Sequence, residues 1–456
     1  MNPILIGILA YVSIQIAIGV VVSRRIETED DYLVAGRRLG PTLATVSIFA
    51  TWFGAETCVG ATGSLYADGL GAHSVEPFAY GICLVAMGLV FARPMWRAGV
   101  TTLADLFRTR FGPSVETTAA VVLIPTSLFW AAAQVRAFGQ VLATSAGVEV
   151  ATGVAIAAAI AIVYTMCGGL LADVFTDLIQ GVALVLGLVV VTVAVVASVG
   201  GPATALELLA TAPPERPAAE PLPLLDVLEA WALPILGSIT AQEVISRSLA
   251  SRSAQVARGA AITGGLAYLL VGLMPVSIGL LAAHTTPNLE DADQVLATVA
   301  AAHLPTFGYV LFAGALISAI LSTVDSALLA ASSILSRNVL LAGRTGVPQA
   351  TRIRTARLAV LGFGVVAWLL AHDAERVFDL IENASGFGSA GILVVTCFGL
   401  FTRIGGTRAA ILSLVFGAVT WMVGAYVATD FPHPFLASLA AALVGYGIGC
   451  ARPARG

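Results

Sequence analysis

Oxygen-bearing side chains recur at helical spacing within an otherwise apolar stretch at 318–336. The residues that this spacing places on one helix face are Ala319, Ser322, Thr323, Ser326 and Ala330. Asp325 lies at the edge of that face. An aspartate near the middle of a spanning helix raises the free energy of membrane insertion by about 2.5–3.5 kcal/mol. Hydroxyl, carbonyl and carboxylate oxygens suit small hard cations. The stretch therefore indicates a cation site, although small residues alone would also favour close helix packing.

Two further groups of acidic residues lie within apolar surroundings. Asp173 and Asp177 are four residues apart, so on a helix their like charges repel unless a cation, a proton or water separates them. Glu56 lies inside an apolar run beside Gly54. This second pattern predicts a broken helix whose freed backbone groups line a cavity.

Composition places the chain in the membrane. The 456 residues are 58% hydrophobic and only 11% charged, whereas soluble domains are about 25% charged. A bilayer core needs about 20 apolar residues per helix. Counting runs predicts thirteen spans, at approximately 3–23, 41–66, 74–95, 116–144, 149–166, 169–199, 226–246, 260–283, 307–337, 354–371, 376–401, 408–428 and 432–450.

Arginine is concentrated in one set of alternate loops. These loops hold Arg24, Arg25, Arg37, Arg38, Arg97, Arg108, Arg110, Arg247, Arg252, Arg258, Arg337, Arg344, Arg352, Arg354, Arg403, Arg408, Arg452 and Arg455. The opposite loops hold little beyond Arg216 and Arg376. The positive-inside rule then predicts an external N-terminus, a cytoplasmic C-terminus and a bacterial-type plasma membrane location.

The interrupted spans suggest two related halves. Spans 2, 7 and 11 each combine glycine with polar residues, which is typical of inverted-repeat transporters. The predicted divisions are an N-terminal helix and loop at 1–40, a first repeat at 41–200, an external connector at 201–225, a second repeat at 226–401 and two further helices at 402–456.

Polar residues within or beside the spans are the candidate solute contacts. They are Trp52, Glu56, Thr57, Glu76, Gln134, Arg136, Gln242 and Asn383. Arg136 would bind a carboxylate, or else snorkel or pair with an acidic neighbour, and Glu76 could equally be a solvated helix end. The sequence lacks the motifs His-Glu-x-x-His and Gly-x-Ser-x-Gly, so an enzyme is not expected.

Four stretches together resemble the sodium:solute symporter family, which includes sodium/proline, sodium/pantothenate and sodium/galactose transporters. They are 164–180, with Tyr-Thr-x-x-Gly-Gly and Thr-Asp-x-x-Gln; 246–253, where Ser246 replaces the family's usual glutamine; 319–333; and the glycine-rich 385–388. The resemblance runs over essentially the whole chain. It implies an all-α polytopic membrane protein with a ten-helix inverted-repeat core of the neurotransmitter-transporter type.

The resemblance also implies sodium ligands. Its main site would use the carbonyls of Ala50, Phe53 and Ala319 and the hydroxyls of Ser322 and Thr323. A second cation site, used by some members, would comprise Asp177, Ser322, Asp325 and Ser326. Asp325 stands where others have serine, so this site could hold a proton instead. Glu76 matches a sugar-binding glutamate of the family's sugar carriers, but Thr57 replaces their glutamine.

The resulting hypothesis is a Na⁺-coupled symporter that imports a small polar solute, whether a sugar, an amino acid or a carboxylate, by alternating access. Proton coupling through Asp177 and Asp325 and a non-transporting sensor subunit are the alternatives. We expect the lipid bilayer as surroundings, no nucleic-acid partner, and a monomer sufficient for transport.

Overall fold

The protein is a helical bundle with several bent or broken helices. The computed structural model describes residues 6–451 except positions 8, 9, 11, 12, 15, 16, 19, 23, 25, 73, 212–221, 290, 345, 375, 376, 429 and 430. Its helices are α1 Glu29–Val34, α2 Pro41–Trp52, α3 Glu56–Asp68, α4 Phe78–Ala98, α5 Leu103–Phe111, α6 Pro113–Ala146, α7 Val150–Ser198, α8 Pro202–Leu209, α9 Leu224–Gly237, α10 Gln242–Ala250, α11 Ala254–Thr285, α12 Val295–His303, α13 Thr306–Leu340, α14 Gln349–Asp373, α15 Val377–Gly386, α16 Ser389–Phe401, α17 Thr407–Val427 and α18 Pro434–Cys450.

Breaks occur where the sequence predicts interrupted spans. Helices α2 and α3 form one span bent by 52°, and α9 and α10 form another bent by 41°. In the third case α15 ends at Gly386 and α16 begins at Ser389, with Gly388 at a φ of +65°. Each break frees backbone groups inside the bundle, which is tolerated where other protein groups satisfy them.

A single glycine separates the fifth and sixth predicted spans within α7. Gly169 has a φ of +56° and non-helical ψ, so the chain turns there. A Cβ at this position would lie 2.4 Å from Cδ2 of Tyr32, which no real side chain could accommodate. The Tyr32 hydroxyl also donates to the Thr165 carbonyl oxygen at 3.0 Å, which holds α1 against the turn.

Helix α13 is the centre of the bundle. Every residue from position 312 to 334 is buried, including its hydroxyl and carboxylate side chains. The helix packs against α6 and α7 along its length and contacts α2 at the break. Its polar face is therefore surrounded by protein, and each polar group on it needs a partner.

Ion pairs hold the arginine-rich end of the bundle together. Arg337, near the end of α13, contacts Glu29 of α1 at 3.2 Å and Asp105 of α5 at 3.0 Å. Arg352 of α14 also contacts Glu29, at 3.1 Å. Asp105 additionally completes a capping box with Thr102 at the start of α5. These contacts close this end.

The helices occupy the positions predicted for spans 2 to 13. Within the described part of the chain, eight helices are long and apolar enough to cross a membrane, and the two bent pairs add two more. About half of the predicted first span at 3–23 lies outside the described residues, as do Arg25, Arg216, Arg376, Arg452, Arg455 and residues 212–221 of the connector. The total of thirteen spans, the orientation and the repeat boundaries stay predictions.

Candidate ion and solute site

The break between α2 and α3 is stabilised by a glutamine from α6. The amides of Gly54 and Ala55 leave the helical pattern that would direct them to the carbonyls of residues 50 and 51. The Ala55 amide instead donates to Gln134 Oε1 at 3.0 Å, and the Gly54 amide lies 3.4 Å from Glu56 Oε1. Gln134 Nε2 donates to Glu56 Oε2 at 2.8 Å. Gln134 thus satisfies the break and fixes the carboxylate beside it.

The predicted main sodium site lies where this break meets α13. A Cβ built on Gly54 would lie 2.7 Å from the Thr323 hydroxyl oxygen, so this hydroxyl lies against the broken backbone. Thr323 also lies 3.3 Å from the Ala319 carbonyl oxygen, and Ala50 and Phe53 are buried at the end of α2. The Thr323 hydroxyl and the Ala319 carbonyl are therefore oxygens beside the break of the kind that a small hard cation binds.

One helical turn further along α13, the surroundings are charged. Arg247 of α10 is completely buried, with Nη2 2.5 Å from Asp173 Oδ2 and 3.5 Å from Asp177 Oδ2. Nη2 also donates to Ser326 Oγ at 2.6 Å, while Nε donates to the hydroxyl oxygen of Ser47 at 3.0 Å. We call these groups the Arg247 network. Its guanidinium supplies the positive charge that the two aspartates need.

Serine hydroxyls connect the network to the neighbouring site. Ser47 donates to Asp177 Oδ2 at 2.6 Å, and Ser322 donates to the other Asp177 oxygen. Ser326 donates to the Ser322 carbonyl oxygen at 2.7 Å. Ser322 is therefore common to both predicted cation sites.

The structure brings together three of the four predicted ligands of the second cation site. Asp177, Ser322 and Ser326 meet, but a guanidinium lies among them. Asp325 faces elsewhere: its Oδ1 accepts the Thr165 hydroxyl at 2.5 Å, and its Oδ2 has no hydrogen-bond partner among the described residues. Counting Arg247 among the loop arginines was wrong, because it belongs to α10 and is buried.

A cavity of about 430 Å³ opens at the end opposite the arginine-rich loops. Its carboxylate-bearing residues are Glu56, Glu76, Asp226, Glu229 and Glu382. Glu382 is exposed, whereas Glu56 and Tyr80 are buried, so the cavity runs from the surface towards the broken helix. It has the size and mixed lining of a small-molecule site.

Three aromatic rings pack together beside the cavity. Tyr80, which lines the cavity, lies edge-on to Trp52 at 5.4 Å and to Trp130 at 5.8 Å between ring centroids. The two tryptophans are 6.1 Å apart and line a small separate void of about 10 Å³. The Tyr80 hydroxyl is 3.0 Å from Ser385 Oγ, beside the break between α15 and α16. The rings thus link the break between α2 and α3 to the break between α15 and α16.

With this geometry established, comparison with known proteins identifies the family. The profile of the sodium:solute symporter family matches residues 32–421. The chain belongs to the sodium:solute symporter family. It is 27% identical over 417 residues to the human high affinity choline transporter 1, covering 87% of this chain and 71% of that one. It is 26% identical over 468 residues to the sodium/pantothenate symporter of Escherichia coli strain K12, covering 98% and 96%.

A solved structure shares the whole fold. It is a Na⁺-coupled sialic acid symporter in a substrate-bound outward-open state, with a TM-score of 0.85 and 17% sequence identity, covering 99% of this chain and 98% of that one. The protein is therefore a multi-pass membrane protein of a transporter family, and Na⁺ is its coupling ion. At this identity the structural likeness establishes the fold and not the solute.

Two of the eight solute-site candidates line the cavity of this symporter, Glu56 and Glu76. The remaining six do not line it. Trp52 belongs to the aromatic group, Thr57 contacts Tyr268, and Gln134 caps the break. Arg136 is partly buried in α6, Gln242 accepts a hydrogen bond from the Leu103 amide at 2.9 Å, and Asn383 accepts one from the Tyr426 hydroxyl. Their assignments as solute contacts stay predictions.

Sequence reasoning overlooked Arg247 and Tyr80. Arg247 lies between apolar pairs at 244–245 and 249–250, a spacing that would fit a helix better than a loop. Tyr80 lies in an apolar run, where an aromatic residue usually signals packing. Neither position carries a signal that reveals its partners, because those partners come from distant parts of the chain.

Proposed function

We propose that this protein imports a small polar organic solute together with Na⁺ by alternating access. One observation carries the proposal most directly: the Thr323 hydroxyl of the buried α13 lies against Gly54 at the break between α2 and α3. An ion held there would join α13 directly to the broken span. Its binding free energy would favour the conformation in which they are close.

The two ends of the bundle support alternating access. The arginine-rich end is closed by the Arg337 and Arg352 ion pairs, while the opposite end contains the 430 Å³ cavity. We infer that this conformation accepts solute from the cavity side. If the arginine-rich end is cytoplasmic, as the loop charges predict, the cavity faces outward and transport is inward. The membrane potential would add about 2.3 kcal/mol per charge per 100 mV.

We infer a single sodium site, the main one, comprising Ala50, Phe53, Ala319, Ser322 and Thr323. The place predicted for a second cation already contains the guanidinium of Arg247, which lies within hydrogen-bonding distance of Ser326 and contacts both aspartates. Adding Na⁺ among these groups would place two cations side by side. The thirteen spans, the external N-terminus and the two repeats at 41–200 and 226–401 are part of this proposal.

Uptake by the purified protein in proteoliposomes tests the coupling. Radiolabelled choline, pantothenate and sialic acid, the solutes named for the relatives, would be supplied with an inward Na⁺ gradient or with K⁺ in its place. We expect at least one solute to accumulate only with the Na⁺ gradient. Equal uptake of each transported solute in both buffers would overturn sodium coupling.

Proton coupling is the competing mechanism because Asp325 retains an oxygen with no partner among the described residues. An inward pH gradient imposed in Na⁺-free buffer separates the two mechanisms. We expect no accumulation under this gradient alone. Accumulation there, abolished by a protonophore, would instead identify a proton-coupled carrier.

A further inference from the structure

The cavity has a one-sided charge. Of the described residues that line it, five carry carboxylates and the only basic one is His433. His433 lies 2.7 Å from Asp226, so it is already associated with one of the five. An anionic solute entering this cavity would meet carboxylates without a guanidinium to bind it. Arg136, the candidate carboxylate ligand in the sequence, does not line it.

Most of the carboxylates have structural partners. Glu229 accepts the amides of Phe435 and Leu436 at 2.5 and 2.8 Å and so caps the first turn of α18. Glu56 accepts from Gln134 at 2.8 Å. These contacts explain two of the carboxylates without a ligand.

Glu76 is different because its contacts are long and incomplete. Its Oε2 lies 3.4 Å from the Thr57 hydroxyl and 3.5 Å from the Tyr268 hydroxyl, at the limit of hydrogen bonding. Its Oε1 is buried and has no hydrogen-bond partner among the described residues. A buried carboxylate oxygen of this kind strongly favours a positively charged or donating group nearby.

An aromatic ring lies in the same cavity. Tyr80 shares the lining with Glu76, and its ring packs edge-on against Trp52 and Trp130. Aromatic faces attract cations, and quaternary ammonium groups are commonly recognised by aromatic side chains. A carboxylate and a buried aromatic group in one cavity therefore suit an organic ammonium better than a sugar or a carboxylate.

We propose that the transported solute is a small organic cation whose ammonium group binds in the cavity between Glu76 and Tyr80. The inference rests on the proposed function, because it names the solute class of that same symporter. The cation brings its own charge to Glu76, and its alkyl groups lie against the apolar part of the lining. The cavity volume of about 430 Å³ limits the solute to a small molecule.

A matched pair of solutes tests the charge requirement. Choline and its uncharged carbon isostere 3,3-dimethyl-1-butanol differ only in replacing the ammonium nitrogen with carbon. Thermal unfolding of the full-length protein would be measured with each, in NaCl and in KCl, because a ligand of the folded state raises the unfolding temperature. We expect stabilisation by choline at a concentration at least about tenfold below that needed for the isostere, which corresponds to about 1.4 kcal/mol.

Substitutions assign the two contacts. Glu76→Gln keeps the shape but removes the charge, and we expect it to weaken choline binding at least about tenfold. Glu207→Gln removes an exposed carboxylate from α8, outside the cavity, and should leave binding unchanged. Tyr80→Phe, which keeps the ring, should retain binding, whereas Tyr80→Leu should lose it. Choline binding unaffected by Glu76→Gln would overturn the proposed contact.

The outcomes separate this inference from the symporter proposal. Na⁺-dependent stabilisation or uptake of glucose, proline or pantothenate, with no response to choline, would overturn the cationic solute and leave sodium coupling intact. Choline binding that is equal in NaCl and KCl, together with Na⁺-independent uptake, would support the cationic solute and overturn sodium coupling. Equal binding of choline and its isostere would show that the cavity recognises shape and not charge.

Discussion

Two regions on the same face of α13 handle positive charge in different ways. At the break between α2 and α3, the Thr323 hydroxyl lies near the Gln134 amide oxygen and the Glu56 carboxylate, and no arginine is among the atoms nearest Gly54, so positive charge there would come from an ion. One turn away, Arg247 is buried between Asp173 and Asp177 and brings positive charge within the chain itself. Ser322 belongs to both regions because its hydroxyl donates to Asp177.

The comparison shows why an acidic cluster is an uncertain guide to an ion site. Carboxylates near a membrane-protein core need a counter-charge, and an arginine satisfies that need permanently. The break between α2 and α3 has no such internal cation among its nearest described atoms, so an ion could bind there and leave as the protein changes conformation. The better candidate for a coupling site is therefore the region whose positive charge is not supplied by the chain itself.

The largest effect is expected from removing the internal cation. Arg247→Met would leave two buried aspartates without their counter-charge, a loss of the kind that costs about 3–5 kcal/mol. We expect little folded protein, measured as the monodisperse peak in detergent and as the unfolding temperature. Arg252→Met, at an exposed position five residues later, is the control and should behave like the parent.

A compensating substitution keeps this prediction testable if Arg247→Met does not fold. Asp173→Asn removes one of the two negative charges, so Arg247→Met combined with Asp173→Asn should recover part of the lost folded protein. If Arg247→Met alone were as stable as the parent, the network would not provide the counter-charge we describe.

A smaller but specific effect is expected at the break between α2 and α3. Gly54→Ala would place a methyl group 2.7 Å from Thr323 Oγ1 and 2.9 Å from Gln134 Oε1, forcing the break and α13 apart. We expect the Na⁺ concentration for half-maximal uptake to rise at least about tenfold, a loss of about 1.4 kcal/mol. Gly259→Ala in α11 is the control because its added methyl group meets no atom within 4 Å. If Gly54→Ala left the Na⁺ dependence of uptake unchanged, the break would not be part of the sodium site.

Loss of one neutral ligand should have a milder consequence. Thr323→Ala removes one hydroxyl, and we expect a rise of about three- to tenfold in the Na⁺ concentration for half-maximal uptake, as for a hydrogen bond of about 0.5–1.5 kcal/mol. Thr323→Ser keeps the hydroxyl and should restore the parent value. The combination Ser322→Ala with Thr323→Ala should exceed either single change. A normal Na⁺ dependence in that double variant would refute the site assignment.

The sequence predicted the helices and their breaks better than it predicted which side chains contact each other. Apolar run length located the helices, and glycine near Glu56 located the break, because both depend on local composition. The contacts of Asp177 depended on Arg247 and Ser47, which are 70 and 130 residues away, and no local periodicity encodes such pairings. Because Arg247 was counted with the loop arginines, the counter-charge of Asp173 and Asp177 was missed. Gln134 was predicted to bind solute, yet its amide satisfies the break.

Substitution of Asp325 should have the smallest effect on Na⁺-driven uptake. It tests whether this carboxylate takes part in ion coupling. Its carboxylate accepts the Thr165 hydroxyl and makes no hydrogen bond to Arg247, Ser322 or Ser326 within the described part of the chain. Asp325→Asn retains an oxygen that can accept from Thr165. We therefore expect Na⁺-driven uptake with a half-saturating Na⁺ concentration within about threefold of the parent, since that ratio is about 0.6 kcal/mol. Uptake that becomes independent of Na⁺, or that loses a dependence on external pH between 5.5 and 8, would instead make Asp325 a cation or proton ligand, and the charged region would then take part in coupling.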